Sequence, residues 1–236
     1  MHTRPRIAAA VLATAALAAA PTAVASADPV LTAATSTTVS PGASVLTVSS
    51  MHGNTADGLA CTVGFIGQRS DGTKVGVYAG HCGKVGEKVA FGNRVVGKTI
   101  ASSAPQLTAQ ETFVNQNAAD WAAFTVDPGS AQLVPGGRAK ASSLGKARVG
   151  DKVCSDGATS GWRCGTVVQV DGSYIATTIG VQTGDSGGPL IRTADGAALG
   201  IASRAASFGN SKTPTGSLYY DLGSALSAIG ATLVTG

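Results

Sequence analysis

The chain has 236 residues, of which 32 are glycine and 9 proline, with 13% charged residues and a formal net charge of +4. A chain of this make-up suits one all-β unit of many short strands joined by tight turns, since such units routinely reach this length. No basic run, aromatic and basic interleaving or zinc-finger spacing occurs, so nucleic-acid binding has no support.

Residues 1–27 read as a secretory leader. Arg4 and Arg6 precede a continuous apolar and small run over 7–20, and Ala25-Ser26-Ala27 has the form of a cleavage site. The run is shorter than the roughly 20 residues that cross a bilayer, so a secreted protein with no membrane association after cleavage is expected. Loss of Arg4 and Arg6 would bring the net charge to +2. Residues 28–57, rich in Thr, Ser, Ala and Val and broken by Pro41-Gly42, form a lead-in or short pro-segment, or else an early strand at 44–48. His52 in this stretch reads as a solvated loop histidine.

Beyond it the pattern is β throughout, with strands expected over 74–79, 88–91, 94–102, 120–126, 152–154, 165–170, 174–178, 187–191, 197–203 and 217–221. Asp71-Gly72, Pro128-Gly129, Gly136-Gly137, Asp171-Gly172 and Asp195-Gly196 supply turns between them. Many short strands with glycine turns suggest antiparallel barrels, and Pro135-Gly136-Gly137 is a natural crossing between two of them. One helix is expected near 221–233, capped by Asp221, with Leu222, Ala225, Leu226 and Ile229 on one packing face.

The stretch Gly184-Asp185-Ser186-Gly187-Gly188-Pro189 sets a serine between small residues, as a nucleophile meeting a substrate backbone requires. Serine is a weak attacker at neutral pH and needs a base, itself oriented by a third group. His2 falls in the leader, leaving His81 or His52 as the base. His81, in Ala79-Gly80-His81-Cys82 directly after a strand, has the better setting. Asp120 enters an apolar strand and suits the orienting acid, whereas Glu87, Glu111 and Asp127 lack that setting.

These motifs, in the order His, Asp, Ser, resemble the chymotrypsin-fold serine proteases, and in particular the secreted bacterial branch of streptogrisins and alpha-lytic protease. Cys61-Thr62-Val63-Gly64-Phe65 and the run from Val153-Cys154 to Trp162-Arg163-Cys164-Gly165-Thr166 share in that resemblance, which covers roughly 58–236. It implies two antiparallel six-stranded β-barrels at about 58–134 and 138–220, with a C-terminal helix. It implies a secreted endopeptidase with His81, Asp120 and Ser186 as its triad. The backbone N–H groups of Gly184 and Ser186 would form an oxyanion hole, Asp185 and Ser203 would support the site, and Gly180, Val181, Thr183, Arg204 and Ala205 would meet substrate.

Four cysteines allow three pairings. Cys61 with Cys82 and Cys154 with Cys164 are local and match the bacterial branch, and the spacing argues against metal. No cofactor is expected, and the partners would be peptide or protein substrates met by a monomer. The resembled proteases are usually made with a longer pro-region than 28–57 would provide.

Three departures stand out. Ser155 takes the place of an arginine that pairs with the aspartate before the nucleophile, a task then left to Arg163, the mature amino terminus or another cation. Arg204-Ala205 replaces a Gly-Gly substrate-binding edge, and Gln182 stands near the first cysteine of a missing third disulfide. Gly180, at the position that carries an acid in trypsin-like members, implies cleavage after apolar or small residues. Alternatives are a protease-fold binding protein without peptide cleavage and a serine esterase.

Overall fold

The computed structural model describes residues 37–53, 55–103, 118–208 and 215–236. The leader, His2 and Glu111 lie outside the described residues.

The first half contains β1 (Thr37–Val39), β2 (Ser44–His52), β3 (Thr55–Thr62), β4 (Phe65–Arg69), β5 (Lys74–Tyr78), β6 (Lys88–Phe91), β7 (Arg94–Ser102), β8 (Ala122–Val126) and β9 (Ala131–Leu133). The second contains β10 (Ser143–Leu144), β11 (Lys152–Gly157), β12 (Gly161–Asp171), β13 (Tyr174–Thr177), β14 (Pro189–Arg192), β15 (Ala197–Ala206) and β16 (Gly216–Asp221). The helix α1 (Leu222–Ile229) and the strand β17 (Ala231–Leu233) follow.

In the second half, β15, β14, β11, β12, β13 and β16 pair in succession and β16 returns to β15, closing a six-stranded barrel with β10 added outside. The first half is an eight-stranded sheet in the order β17, β4, β5, β8, β7, β6, β2, β3, so it exceeds six strands through β3 and β17. With β1 and β9 as a separate short parallel pair, these two large sheets give the all-β double-barrel architecture with a C-terminal helix that the sequence implies. Its strands are short and largely buried: Val75, Val77 and Tyr78 of β5 are all at 0% exposure. The Tyr78 ring meets Phe124 edge-on at 5.4 Å, and its hydroxyl lies 2.6 Å from Thr99 Oγ1, so this core tyrosine keeps a partner for its polar end.

Two sequence boundaries shift. Residues 28–57 contribute the fold's own strands from Thr37 onward: β2 lies between β3 and β6, and a boundary at 58 would cut the β2–β3 hairpin. The early-strand alternative is therefore the one that describes 44–52. The helix stops at Ile229 rather than near 233 because Gly230 turns left-handed at φ 69° and its N–H closes on Leu226 and Ser227. Asp221 accepts the Ser224 N–H at 2.7 Å as the cap. Leu222, Ala225, Leu226 and Ile229 form the buried face.

Candidate active site

His81 sits on a single 3-10 turn, Gly80–Cys82, that follows β5. Position 80 must be glycine because a Cβ there would lie 2.9 Å from the Trp121 nitrogen and 3.0 Å from its carbonyl oxygen. That close approach brings the segment ahead of β8 against the turn. Ser103 pins the same segment, donating to Ala119 O at 2.9 Å and accepting the Trp121 N–H at 2.8 Å.

Asp120, 3% exposed, is thereby placed to accept from His81 twice. The His81 backbone N–H reaches Oδ1 at 2.9 Å, and ring Nδ1 lies 3.1 and 3.0 Å from Oδ1 and Oδ2. A carboxylate at Nδ1 fixes the tautomer with the proton there, leaving Nε2 as the acceptor. Ser203 Oγ donates a short bond to Asp120 Oδ2. Burial works against a charged imidazole at His81, but the bond to Asp120 and its charge outweigh this, against an opposing effect of Arg204. The imidazole pKa therefore stands above its ordinary value. Burial likewise pushes Asp120 up, yet the bonds from His81 and Ser203 and the His81 charge hold it below the usual carboxylate range.

The second barrel supplies the turn 182–188. Gly184 and Gly187 have φ of 98° and 91°, in the left-handed region that suits glycine. A Cβ at Gly187 would also lie 2.3 Å from Thr62 O. Backbone N–H groups of Asp185, Gly187 and Gly188 are spent on Gln182 O, Ala202 O and Asp185 O. Those of Gly184 and Ser186 have no acceptor among the described residues. Two open donors thus flank Asp185.

Asp185 is 1% exposed and has no cationic partner among the described residues. Its Oδ1 accepts the N–H groups of Thr159 and Ser160, each at 2.9 Å, and its Oδ2 accepts that of Gln182 at 2.8 Å. Three backbone amides thus hold this carboxylate in a chain that has Ser155 and no arginine at that position. Arg163, a candidate for that task, turns instead to Ser160 O at 3.4 Å. Sequence reasoning missed Thr159, Ser160 and Ser103, and Gly157 was the available signal: a Cβ there would lie 2.3 Å from Asp185 Oδ1.

His81, Ser186, Gly184, Val181, Thr183, Ser203, Arg204 and Ala205 line one open cleft of about 780 Å³, together with Leu59 to Cys61 of β3. Gly180 instead lines a recess of about 10 Å³ beside Asp185, and a Cβ added to it would meet nothing within 4 Å. Ser186 Oγ makes no hydrogen bond to His81; bonds of this kind often tighten only when substrate binds. His52 does not line the cleft; it is exposed and lies 3.0 Å from Asp57. Glu87 accepts the Lys84 N–H in a surface turn, and Asp127 is exposed.

Disulfides join Cys61 to Cys82 and Cys154 to Cys164. Cys61, His81 and Cys82 approach one another within 4.8 Å, but both sulfurs are committed to the disulfide and cannot serve as thiolate metal ligands.

Two β sheets with a serine, a histidine held by a buried aspartate and two open amides at their cleft define the chymotrypsin-like class. The chain is 32% identical to Streptogrisin-C of Streptomyces griseus over 189 residues, 74% of this chain and 38% of that protein. It is also 32% identical, over 145 residues, to an uncharacterised protein of Mycobacterium tuberculosis, 59% of this chain and 64% of the other. The chain thus spans less than two thirds of either relative. Among solved structures, the Nocardiopsis protease NAPase superposes with a TM-score of 0.64 at 27% identity, covering 84% of this chain and all of that one. No family model matches. The chain is thus similar in sequence and in fold to bacterial chymotrypsin-fold serine proteases.

Proposed function

We propose that this protein is a secreted serine endopeptidase that cuts peptide bonds through an acyl-enzyme. Ser186 attacks the carbonyl, and His81 Nε2 takes its proton and returns it to the leaving amine. Asp120 holds the imidazole in the required tautomer and stabilises its charged form. The Gly184 and Ser186 N–H groups receive the oxyanion, a task for which losing one donor typically costs about 2.7–4 kcal/mol. Gly180 brings no acid to the recess it lines next to the cleft, so a Lys or Arg side chain would find no counter-charge from that position, which favours cleavage after apolar or small residues.

The observation that carries this reading is that the two amides without acceptors and the Nε2 of a tautomer-fixed histidine belong to one cleft. Two disulfides and the leader-like first 27 residues support an extracellular, oxidising setting. β2 lies inside the first sheet, and this supports an activation route other than removal of all of 28–57.

Active-site titration with a fluorophosphonate tests the reading. One label per folded molecule at Ser186, absent in Ser186→Ala, is expected, and a folded, disulfide-bonded protein that takes no label would overturn it. Turnover of esters without peptides would replace the peptidase by an esterase.

A further inference from the structure

We propose that Arg204 is a positioning residue for the triad: held across the seam between the barrels by Tyr174 and Ser203, its guanidinium steadies the segment bearing Asp120 and biases His81 toward the neutral, proton-accepting form. The proposal rests on the catalytic reading above.

Arg204 follows Ser203 on β15, where the strand pairing slips by one residue. Its Nη1 donates to the Tyr174 hydroxyl at 3.2 Å and to Ser203 Oγ at 3.4 Å, and its Cζ lies 4.7 Å from the centroid of the Tyr174 ring. Both hydroxyls lead back to the first barrel. Tyr174 donates to Ala118 O at 2.6 Å, two residues before Asp120, and Ser203 donates to Asp120 itself. The guanidinium therefore braces the acid at two points.

It does so without a counter-ion of its own. Its partners are two neutral hydroxyls and an aromatic face, no carboxylate forms an ion pair with Arg204 among the described residues, and Nη2 is buried without an acceptor. A cation so placed acts on the nearest titratable groups, because partial burial weakens solvent screening. The charged groups acting on His81 are Asp120, from the segment ahead of β8, and Arg204, from β15. Asp120 favours the imidazolium and Arg204 opposes it. The base must be neutral to accept the serine proton, so this opposition extends activity toward lower pH.

Ring NMR of the full mature chain tests this without relying on turnover, because only His52 and His81 remain once the leader is gone. In a Ser186→Ala background, Arg204→Gln and Arg204→Met should each raise the His81 midpoint by about half a pH unit or more, while Arg204→Lys should hold it. In the active enzyme the acid limb of kcat/KM should move up equally, lowering the rate about threefold on that limb. A merely structural loss would depress the plateau without displacing the limb. An unmoved His81 midpoint in the charge-removing variants overturns the proposal.

Should neither of those variants fold, Tyr174→Phe decides the matter. It keeps the charge but removes the hydroxyl that holds it, so a raised His81 midpoint supports the inference and an unchanged one refutes it. If the unmodified enzyme takes no fluorophosphonate label, the catalytic reading falls while the His81 titration still judges the role of Arg204.

Discussion

Asp185→Asn tests how a buried carboxylate survives here without a cation. The native group takes three backbone N–H bonds of 2.8–2.9 Å, two on Oδ1 and one on Oδ2. An asparagine that keeps its oxygen toward Thr159 and Ser160 turns its NH₂ on the Gln182 N–H, donor against donor. One charge-assisted bond, worth about 1.5–3 kcal/mol, is lost, and the other two fall to neutral strength near 1 kcal/mol each. Together these losses come to a destabilisation of about 2.5–7 kcal/mol. Urea unfolding of Ser186→Ala with and without Asp185→Asn measures it free of autolysis. A difference below about 1 kcal/mol would refute the idea that these amides hold the carboxylate. In the active protein the same change should lower kcat/KM by about 10²-fold or more, because the open amides of Gly184 and Ser186 flank Asp185.

Asp120→Asn should reduce kcat about 10⁴-fold with little change in KM, since the wrong His81 tautomer is then favoured; steady-state kinetics on a peptide ester reads this directly. The rate should rise with pH as His81 loses its proton, with a midpoint above the ordinary imidazole value. Folding stability has two limbs in the same pair. The raised His81 pKa contributes stability in full below the unfolded imidazole value and loses it as pH rises through the folded one. The lowered Asp120 pKa contributes above the unfolded carboxyl value and is lost as pH falls through the folded one; unfolding midpoints across pH 2–9 would trace both. Replacing Cys61 and Cys82 by alanine opens a loop of sequence separation 21 and should cost about 3 kcal/mol in denaturant titration, with a further loss of activity because Cys82 adjoins His81. Asp221→Ala removes the helix cap and the partner of Lys146 Nζ at 2.9 Å, and should lower stability by about 1–2 kcal/mol in the same assay.

The triad candidates were legible because each chemistry-bearing side chain came with a local setting: His81 after a strand beside a cysteine, Asp120 entering an apolar run, Ser186 among small residues. Strands such as 88–91 and 94–102 were legible from short apolar runs and turn glycines. What escaped depends on main chain meeting main chain. Nothing in the identities of Thr159, Ser160 and Gln182 says that their N–H groups converge on Asp185. The part of Arg204 emerges only when Tyr174, 30 residues earlier, and Ala118 are brought beside it. β1 was obscured because its partner is β9, almost a hundred residues on, and three residues carry too little periodicity to announce a strand.

β17 comes after the whole second barrel yet borders β4 of the first sheet, with Thr232 donating to Gln68 O across 164 residues of chain. During synthesis, therefore, the β4 edge stays open until β17 leaves the ribosome. The first barrel cannot be finished before the second has been made, and such distant pairings are slow to form. A nascent chain arrested between the barrels would present an uncovered strand edge, a template for association with other chains. The return of β17 makes the first barrel's completion a signal that the second has already been made.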